Sequence, residues 1–458
     1  MNKILILLIF PVFVKAQSNF PALIDSFMKA QVAINNFNGN VLVAKSGNIL
    51  YQKAFGYRNY ETKELLDIHS VFELASVSKQ FTAMGILLLK EKGKLALSDS
   101  LRKFFPELPY HHVTIQHLLT HTSGLPDYET NMAKKWDRKK IAFNNDVIAF
   151  LAKEKIPFNF TPGSKWEYSN TAFQMLASII EKVANQSFHD YMQQNIFTPL
   201  NMKHTRVYNT RRSTKDTIPN YAYGYVYSDS LKKYILPDSL AAYDFVIYLD
   251  GIQGDGIINS TIGDLLKWDR AIKNHTLLNK HSQEAMLSPQ STDSASKNSY
   301  GYGVFIVKNK FGEEITHSGG WPGYATSLSR NVKEDITIIV LSNNSSNVTS
   351  ISFALTHILF NEPVIFPYIH KETSIDTTTL NNYTGKYEGV GAFEIIKQGG
   401  RLYRKNKFNT IELKPESGTK FFYADKSDRQ IEFDEDKNEK NKAWFISGGI
   451  KTELKKIE

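Results

Sequence analysis

Ser76 and Lys79, a serine and a lysine three residues apart, are the pair of side chains in this sequence best suited to covalent catalysis. At that spacing on a helix both side chains rise from one face, so the amine can accept the proton that makes the hydroxyl a nucleophile. The S-x-x-K pattern alone is weak evidence, because it recurs at Ser26, Ser100, Ser230, Ser294 and Ser417. The assignment of a nucleophile therefore depends on what surrounds each match.

The surroundings of Ser76 distinguish it from the other matches. The apolar run 71–75 leads into it, and large apolar residues follow at helical spacing, namely Phe81, Met84, Leu87 and Leu88. Gly93 is a suitable end for such a helix. The pattern predicts a buried helix with Ser76 at its N-terminus, where free N–H groups and the positive end of the helix dipole favour an oxyanion. Ser294, by contrast, lies in a polar stretch typical of a loop.

A tyrosine and an asparagine further along the chain are suited to assist this serine. Tyr168 and Asn170 are two residues apart in a turn that precedes a predicted helix, so both can point into one cleft. There the phenol can relay a proton, and the amide can hold both Lys79 and a substrate carbonyl. On its own, the pair is also consistent with a structural tyrosine followed by a helix-capping asparagine.

A third group of residues begins at His317 and continues with Ser318, Gly319 and Gly320. An edge strand with small residues lets its backbone approach a ligand closely, and its N–H groups can supply a second oxyanion donor. The histidine adds a positive or hydrogen-bonding group beside the tyrosine. Taken alone, a histidine followed by glycines is more often a feature of a turn.

The elements that must position these residues are strands at both ends of a helical region. Segments 41–45 and 49–53 flank Ser46-Gly47-Asn48 and predict a hairpin. Helices are predicted over 171–184, 188–196 and 261–272, the last with a capping box from Thr261 to Asp264, and strands over 302–307 and 336–342 around a turn at Gly319 and Gly320. The pattern predicts a sheet with helices packed against it and a helical insertion.

The composition changes near residues 361–363, and a linker is predicted over 369–379. Short alternating strands follow at 393–396, 401–403, 410–413, 420–423, 430–433 and 443–446. Strands at this spacing, with Gly-Gly turns at 399–400 and 448–449, predict a small antiparallel barrel or sandwich over residues 380–458.

In the order S-x-x-K, Y-x-N, H-x-G, the chain resembles the serine hydrolases of the penicillin-binding-protein and class C β-lactamase superfamily. The resemblance covers about residues 17–368 and includes segments 118–128 and 253–257. It implies an α+β fold in which an antiparallel sheet is flanked by helices and carries a helical subdomain. The C-terminal region is similar to the lipocalin-like β-barrels appended to some of these hydrolases. Because H-x-G replaces the K-T-G of most β-lactamases, the chain looks more like D-stereospecific peptidases and esterases.

The resemblance also implies a role for each residue of the three groups. Ser76 becomes acylated, while Lys79 and Tyr168 share the general acid and base work, in an order that the sequence leaves open. Asn170 orients the lysine and the substrate, and His317, Ser318 and Gly319 position the substrate on the strand. The backbone N–H groups of Ser76 and Gly320 form the oxyanion hole.

Composition restricts the other classes of function. The chain has 458 residues, no cysteine and a net charge of +9, which falls to +7 when Lys3 and Lys15 leave with a secretory signal predicted over residues 1–16. The charges are interspersed without a basic block, so no nucleic-acid partner is expected. We expect a secreted or periplasmic enzyme without a cofactor and without a membrane span after signal cleavage, whose partner is a small peptide or ester, including one derived from the cell wall.

Several alternatives stay open at this point. His117 and His121 are four apart on a predicted short helix and are candidates for a zinc site, although no glutamate accompanies them in the H-E-x-x-H manner; we expect no metal. A catalytically silent or slow protein that binds penicillin or cell-wall peptide is a second alternative. Within the enzyme hypothesis, a D-amino-acid carboxypeptidase or aminopeptidase, an esterase and a β-lactamase share the same acyl-enzyme, and the fold does not choose among them.

Overall fold

The computed structural model describes residues 19–34, 36–208, 217–406, 409–425, 427–434 and 442–457. The leader predicted over residues 1–16 lies outside this described part of the chain. Before the C-terminal region the strands are β1 Gly39–Lys45, β2 Asn48–Phe55, β3 Tyr57–Asn59, β4 Glu64–Leu65, β5 Phe72–Glu73, β6 Arg206–Val207, β7 Val226–Ser228, β8 Lys233–Ile235, β9 Ile258–Ser260, β10 Ser291–Thr292, β11 Ser299–Tyr300, β12 Phe305–Asn309, β13 Gly312–Trp321, β14 Tyr324–Asn331 and β15 Ile336–Ser342.

The helices cover both faces of the central sheet, which eight of these strands form. In chain order they are α1 Phe20–Ala33, α2 Lys79–Glu91, α3 Leu101–Phe104, α4 Ile115–Leu119, α5 Tyr128–Lys135, α6 Asn144–Glu154, α7 Asn170–Ala184, α8 Phe188–Met192, α9 Phe245–Tyr248, α10 Ile262–Lys273, α11 Lys280–Met286 and α12 Val348–Leu359. A 3₁₀ turn, Ala75–Ser78, leads directly into α2. None of the described helices is both long and apolar enough to cross a lipid bilayer.

The central sheet contains eight of the described strands, in the order β10-β11-β12-β13-β14-β15-β1-β2, and each neighbouring pair is antiparallel. Strand β1 is buried on both faces because its side chains alternate between two cores. Val41 and Val43 pack on one face with α1 and α12, while Leu42 and Ala44 pack on the other with α2 and α10. The helical subdomain is inserted between β2 and β10 on this second face. The predicted α+β class is confirmed.

Some local predictions differ from the structure. Gly319 and Gly320 lie inside β13, and the turn falls at residues 322–323. The helix predicted over 188–196 is α8 followed by a π-helical turn, Gln193–Phe197. The capping box predicted for α10 is half formed: the Thr261 side chain accepts from the Asp264 N–H, but the Asp264 carboxylate accepts from the N–H of His204.

The C-terminal region is a closed barrel of eight described strands, so the barrel rather than the sandwich is correct. Its strands are β16 Gly385–Glu388, β17 Phe393–Gln398, β18 Arg401–Lys405, β19 Thr410–Pro415, β20 Lys420–Tyr423, β21 Gln430–Phe433, β22 Lys442–Ser447 and β23 Ile450–Lys456. Strands β16 and β23, which close the barrel, are absent from the sequence prediction. Large apolar side chains fill the interior, among them Phe421, Tyr423 and Ile431.

The barrel contacts the face of the central sheet that carries α1 and α12. The Ile365 N–H donates to the Gly449 carbonyl over 2.8 Å, and the rings of Phe27 and Phe366 meet edge to face at 5.7 Å. A β-carbon on Gly449 would lie 2.5 Å from the Ile365 oxygen, so only glycine permits this approach. The barrel is therefore joined to the side of the sheet opposite the helical subdomain.

Candidate active site

Ser76 lies where a short strand turns into a helix. Strand β5 ends at Glu73, and Ala75 then adopts φ +46°, a left-handed conformation that residues other than glycine rarely occupy. Two hydrogen bonds hold the strained turn: the Leu74 N–H donates to the Ile258 carbonyl over 2.8 Å, and the Thr326 hydroxyl donates to the Leu74 carbonyl over 2.7 Å. The turn leaves Ser76 partly exposed between buried neighbours on both sides.

Lys79 lies beneath Ser76 with its side chain fully buried. Its Nζ donates to Ser76 Oγ over 3.0 Å, to Asn170 Oδ1 over 2.8 Å and to the Asp255 carbonyl over 2.7 Å. An ammonium group has three donors, so all of them are used. The ring of Tyr168 lies over the same nitrogen, with its centroid 4.9 Å away. The structure thus brings together the serine, lysine, tyrosine and asparagine that the sequence singled out.

Asn170 is oriented from two sides. It is the first residue of α7, whose N-cap is Ser169, not the asparagine itself. Its Oδ1 accepts from Lys79, and its Nδ2 donates to Glu129 Oε1 over 2.8 Å. Burial, and next the charge of Asp255, raise the pKa of Glu129 to about 7. The sequence analysis missed this carboxylate, although it directly follows the family-like segment 118–128.

Segment 118–128 forms hydrogen bonds with the turn that carries Tyr168 and Asn170. The His121 carbonyl accepts from the Glu167 N–H over 2.9 Å, and His121 Nδ1 accepts from the Ser169 N–H over 3.0 Å. The Thr171 hydroxyl donates to a carbonyl of the same segment over 2.8 Å. Each bond involves a residue beside one of the two functional side chains, so the segment fixes where both of them point.

The ring of His121 packs directly against Tyr168, with the two centroids 4.3 Å apart. Burial lowers the pKa of this histidine well below its ordinary value, so the imidazole is neutral. Because Nδ1 accepts a hydrogen bond, the proton is on Nε2, which has no hydrogen-bond partner within the described part of the chain.

The zinc alternative finds no geometric support. Helix α4 ends at Leu119, and His121 has φ +57°, so His117 and His121 do not share a helical face. His117 Nδ1 instead accepts from the Thr114 N–H in a capping box. Among the described residues, no group of three or more metal-ligating side chains is close enough to hold an ion.

Strand β13 presents a free backbone edge to the serine. Its pairing with β12 ends at Thr316, so β14 is the one described strand that pairs with residues 318–321. A β-carbon on Gly319 would lie 2.2 Å from the Leu74 carbonyl oxygen and 2.9 Å from Ser76 N. Glycine is required at this position because the strand packs against the turn that holds the nucleophile. Gly320, the next residue, lines the cleft above the serine.

His317 lies behind Tyr168, outside the cleft lining, with ring centroids 6.2 Å apart. Its Nδ1 donates to the Ser318 carbonyl over 2.7 Å, and its Nε2 accepts from the Tyr300 hydroxyl over 3.3 Å. Burial first, and the nearby charge of Lys79 second, lower its pKa to about 3. The sequence analysis expected His317 to add either a positive charge or a hydrogen-bonding group. In the structure it is a neutral hydrogen-bonding group. The Ser318 side chain is exposed.

The cleft above Ser76 has an apolar and an acidic part. Leu249, Ile252, Ile257 and Trp321 supply the apolar surface, while the acidic residues of the lining are Glu73, Glu129, Asp250 and Asp255. Asp255 is buried and accepts from the Tyr128 hydroxyl over 2.8 Å. The tyrosines of segment 221–248 do not line this cleft; Tyr221, for example, accepts from the hydroxyl of Tyr324.

The chain is similar in sequence and in structure to several known proteins. The family profile described as Beta-lactamase matches residues 22–358. Penicillin-binding protein 4* of Bacillus subtilis (strain 168) is 42% identical over 400 residues, which cover 85% of this chain and 88% of the relative. The octameric penicillin-binding protein homologue from Pyrococcus abyssi has a TM-score of 0.68 at 24% identity, covering 95% of this chain and 99% of the other. D-amino acid amidase from Ochrobactrum anthropi has a TM-score of 0.63 at 22% identity, covering 75% and 99%.

Proposed function

Because the chain belongs to the beta-lactamase family, whose members include serine hydrolases related to penicillin-binding proteins, we propose that it hydrolyses an amide or ester through an acyl-enzyme on Ser76. The observation that carries this proposal is the contact between Lys79 Nζ and Ser76 Oγ at 3.0 Å, held by Asn170 and the Asp255 carbonyl. Lysine accepts a proton in its neutral form, in which two N–H groups serve Asn170 and the Asp255 carbonyl and the lone pair faces the Ser76 hydroxyl.

The proposed reaction has two halves. Ser76 Oγ adds to the substrate carbonyl carbon while its proton passes to the pair formed by Lys79 and Tyr168. The tetrahedral intermediate then collapses, the carbon–nitrogen or carbon–oxygen bond breaks, and the leaving group takes that proton. Water adds to the acyl carbonyl and releases the acid and the free serine. The N–H groups of Ser76 and Gly320 are the proposed oxyanion donors, a role supported by the close packing of Gly319 on the serine turn.

The proposed substrates are D-amino-acid peptides, cut by a carboxypeptidase or aminopeptidase reaction, or small esters. The alternative is a β-lactamase or a slow penicillin-binding protein, which the name of the relative at 42% identity favours. The neutral, buried His317 favours the first group, because the position holds no charged amine of the kind found in most β-lactamases. We further propose a secreted or periplasmic location on the basis of the leader at residues 1–16.

A covalent labelling experiment tests the nucleophile. A fluorescent penicillin or a fluorophosphonate is expected to add one adduct, seen by intact-mass measurement, and Ser76→Ala is expected to abolish it. Ser294→Ala is the matched control, because this serine belongs to another S-x-x-K sequence in an exposed loop. An adduct that survives in Ser76→Ala, or one that is lost in Ser294→Ala, refutes the assignment.

Turnover separates an enzyme from a binding protein. Rates on a D-alanyl dipeptide, a p-nitrophenyl acyl ester and a chromogenic cephalosporin are measured side by side on the full chain. Repeated turnover of the dipeptide or ester supports the hydrolase. A stable penicillin adduct, without turnover of any of the three, supports the penicillin-binding alternative instead.

A further inference from the structure

Residues 254–258 contact the turn that holds the nucleophile, and their backbone is strained. Ile257 has φ +72°, a left-handed conformation that a β-branched residue rarely adopts. A β-carbon on Gly254 would lie 2.5 Å from a backbone oxygen of α7, so this residue packs tightly against that helix. On the other side, the Thr82 hydroxyl of α2 donates to the Gly254 carbonyl over 2.6 Å. The segment is thus held between two helices, which fixes the position of Asp255.

Asp255 brings a carboxyl group into the same buried space as Lys79. Both residues are buried, and the Asp255 carbonyl accepts from Lys79 Nζ over 2.7 Å. The carboxylate accepts from the Tyr128 hydroxyl over 2.8 Å. Any residue type could supply the backbone carbonyl, whereas a buried carboxylate is costly unless an opposite charge or hydrogen-bond donors offset the cost. The presence of an aspartate at position 255 therefore needs an explanation of its own.

The charges of Asp255 and Lys79 influence each other. Burial raises the pKa of the Asp255 carboxyl, while the charge of Lys79 and then the Tyr128 hydroxyl act in the opposite direction. Because electrostatic coupling is mutual, the carboxylate favours the ammonium form of the lysine as strongly as the ammonium favours the carboxylate. The other titratable groups around the pair are Tyr168, His121, His317, Glu129 and Asp127. Burial keeps both of these histidines neutral, so a positive charge on the lysine is offset by carboxylates.

We propose that the Asp255 carboxylate is the counter-ion of Lys79, a positioning residue that makes the lysine a stronger proton acceptor for Ser76. As an oxygen lone pair of Ser76 bonds to the substrate carbonyl carbon, the serine proton moves to the lone pair of Lys79. The electrons of the O–H bond stay on Oγ, and the carbonyl π electrons become the oxyanion. The lysine thereby gains a positive charge in a buried place, and the carboxylate offsets the cost of that charge. This inference rests on the acyl-serine function proposed above.

The negative charge has two effects on the rate, and they dominate at different pH. By favouring the ammonium form, the charge promotes transfer of the serine proton, which speeds acylation wherever the lysine starts out neutral. The same preference keeps the lysine protonated, and so unable to accept, up to a higher pH. Loss of the charge is therefore expected to lower the rate at high pH and to move the acid limb, the fall in rate at low pH, to lower pH. A residue that only shapes the backbone changes the rate by the same factor at every pH.

The test measures the second-order rate of fluorophosphonate labelling of Ser76 in the full chain between about pH 5 and 10. Asp255→Asn keeps an acceptor for the Tyr128 hydroxyl but has no charge. We expect its limiting rate at high pH to fall about tenfold and its acid limb to move down by about one pH unit. Tyr128→Phe keeps the charge but removes a donor that stabilises it, so its acid limb is expected to move to higher pH. Asp137→Asn makes the same chemical change at an exposed position outside the cleft lining and is expected to leave the profile unchanged.

Two results overturn the inference: an acid limb of Asp255→Asn that stays in place or moves up, and an acid limb of Tyr128→Phe that stays in place or moves down. A circular dichroism spectrum like that of the wild type shows that each variant is folded. Tyr128→Phe removes a single hydroxyl group, so it tests the inference alone if Asp255→Asn does not fold. If the wild type is labelled at Ser76 and either result is found, the counter-ion role fails and the acyl-serine function stands. If the wild type is not labelled at Ser76, the proposed function itself fails.

Discussion

Replacement of Glu129 by glutamine is expected to stabilise the protein, and to do so only above about pH 5. Glu129 is ionised at a cost, because it is largely withdrawn from water and near Asp255. Glutamine can keep the hydrogen bond from Asn170 Nδ2 but carries no charge. An ionised carboxylate in such a place lowers the stability of the folded protein.

The size of the effect follows from the pKa. The ordinary pKa is 4.5, and the folded value is about 7. Because the folded value is higher, the folded protein retains a proton between these two values that the unfolded chain has lost, so the free energy of unfolding falls as the pH rises through this window. The full difference corresponds to about 3 kcal/mol. Glu129 is partly open to the cleft, and the solvent there reduces the expected value to about 2 kcal/mol.

Urea unfolding followed by tryptophan fluorescence measures this difference. Wild type, Glu129→Gln and the surface control Glu107→Gln are compared at about pH 5, 7 and 9. The Glu129 variant is expected to exceed the wild type by less than about 1 kcal/mol near pH 5 and by about 2 kcal/mol at pH 9, while the control stays equal throughout. A gap that is the same at pH 5 and pH 9 refutes the reasoning.

Further expectations concern the groups around the nucleophile. Gly319→Ala adds a methyl carbon 2.9 Å from Ser76 N and is expected to slow fluorophosphonate labelling on the order of 100-fold; an unchanged rate, like that expected of the control Gly418→Ala, contradicts this. His121→Asn keeps an acceptor for the Ser169 N–H and tolerates the left-handed backbone. His121→Phe leaves that N–H unpaired, so the fluorophosphonate is expected to label Ser76 in this variant about tenfold more slowly. Equal labelling of these two variants contradicts the positioning role. Since burial lowers the pKa of His317 to about 3, His317→Gln is expected to leave the pH dependence of fluorophosphonate labelling unchanged between about pH 5 and 8, and a shifted pH dependence contradicts the neutral imidazole.

The parts of the fold that the sequence predicted well are those specified by local patterns. The β1–β2 hairpin and β15 follow from runs of apolar residues bounded by turn residues, and α7 follows from an apolar stripe at helical spacing. Strand β23 was missed because its alternating lysines and glutamate resemble a solvated surface. Its identity as a strand depends on pairing with β22 and on closing the barrel with β16.

The residues of the candidate site also include some that a sequence pattern identifies and others that only the fold reveals. Ser76, Lys79, Tyr168 and Asn170 were found because their types and order form a recognisable pattern, and the structure brings them together. For Gly319 the sequence predicted both an edge strand with close backbone approach and a turn. The strand agrees with the structure and the turn is wrong, because the missing side chain here allows a strand to pack on a turn far away in the chain. Single carboxylates such as that of Glu129 carry no pattern, so only the fold reveals what they face.

Strand β1 also determines the order in which this chain can fold. It pairs on one side with β2, which follows at once, and on the other with β15, whose residue Ile336 lies opposite Lys45. During synthesis the β1–β2 hairpin is complete before β15 has been made. Until then the outer edge of β1 is unpaired, and β1 carries apolar residues on both faces. Contacts of such long sequence separation form slowly, and a waiting edge of this kind is a template for aggregation. A chain that stops before residue 336 is therefore left without the strand that covers this edge.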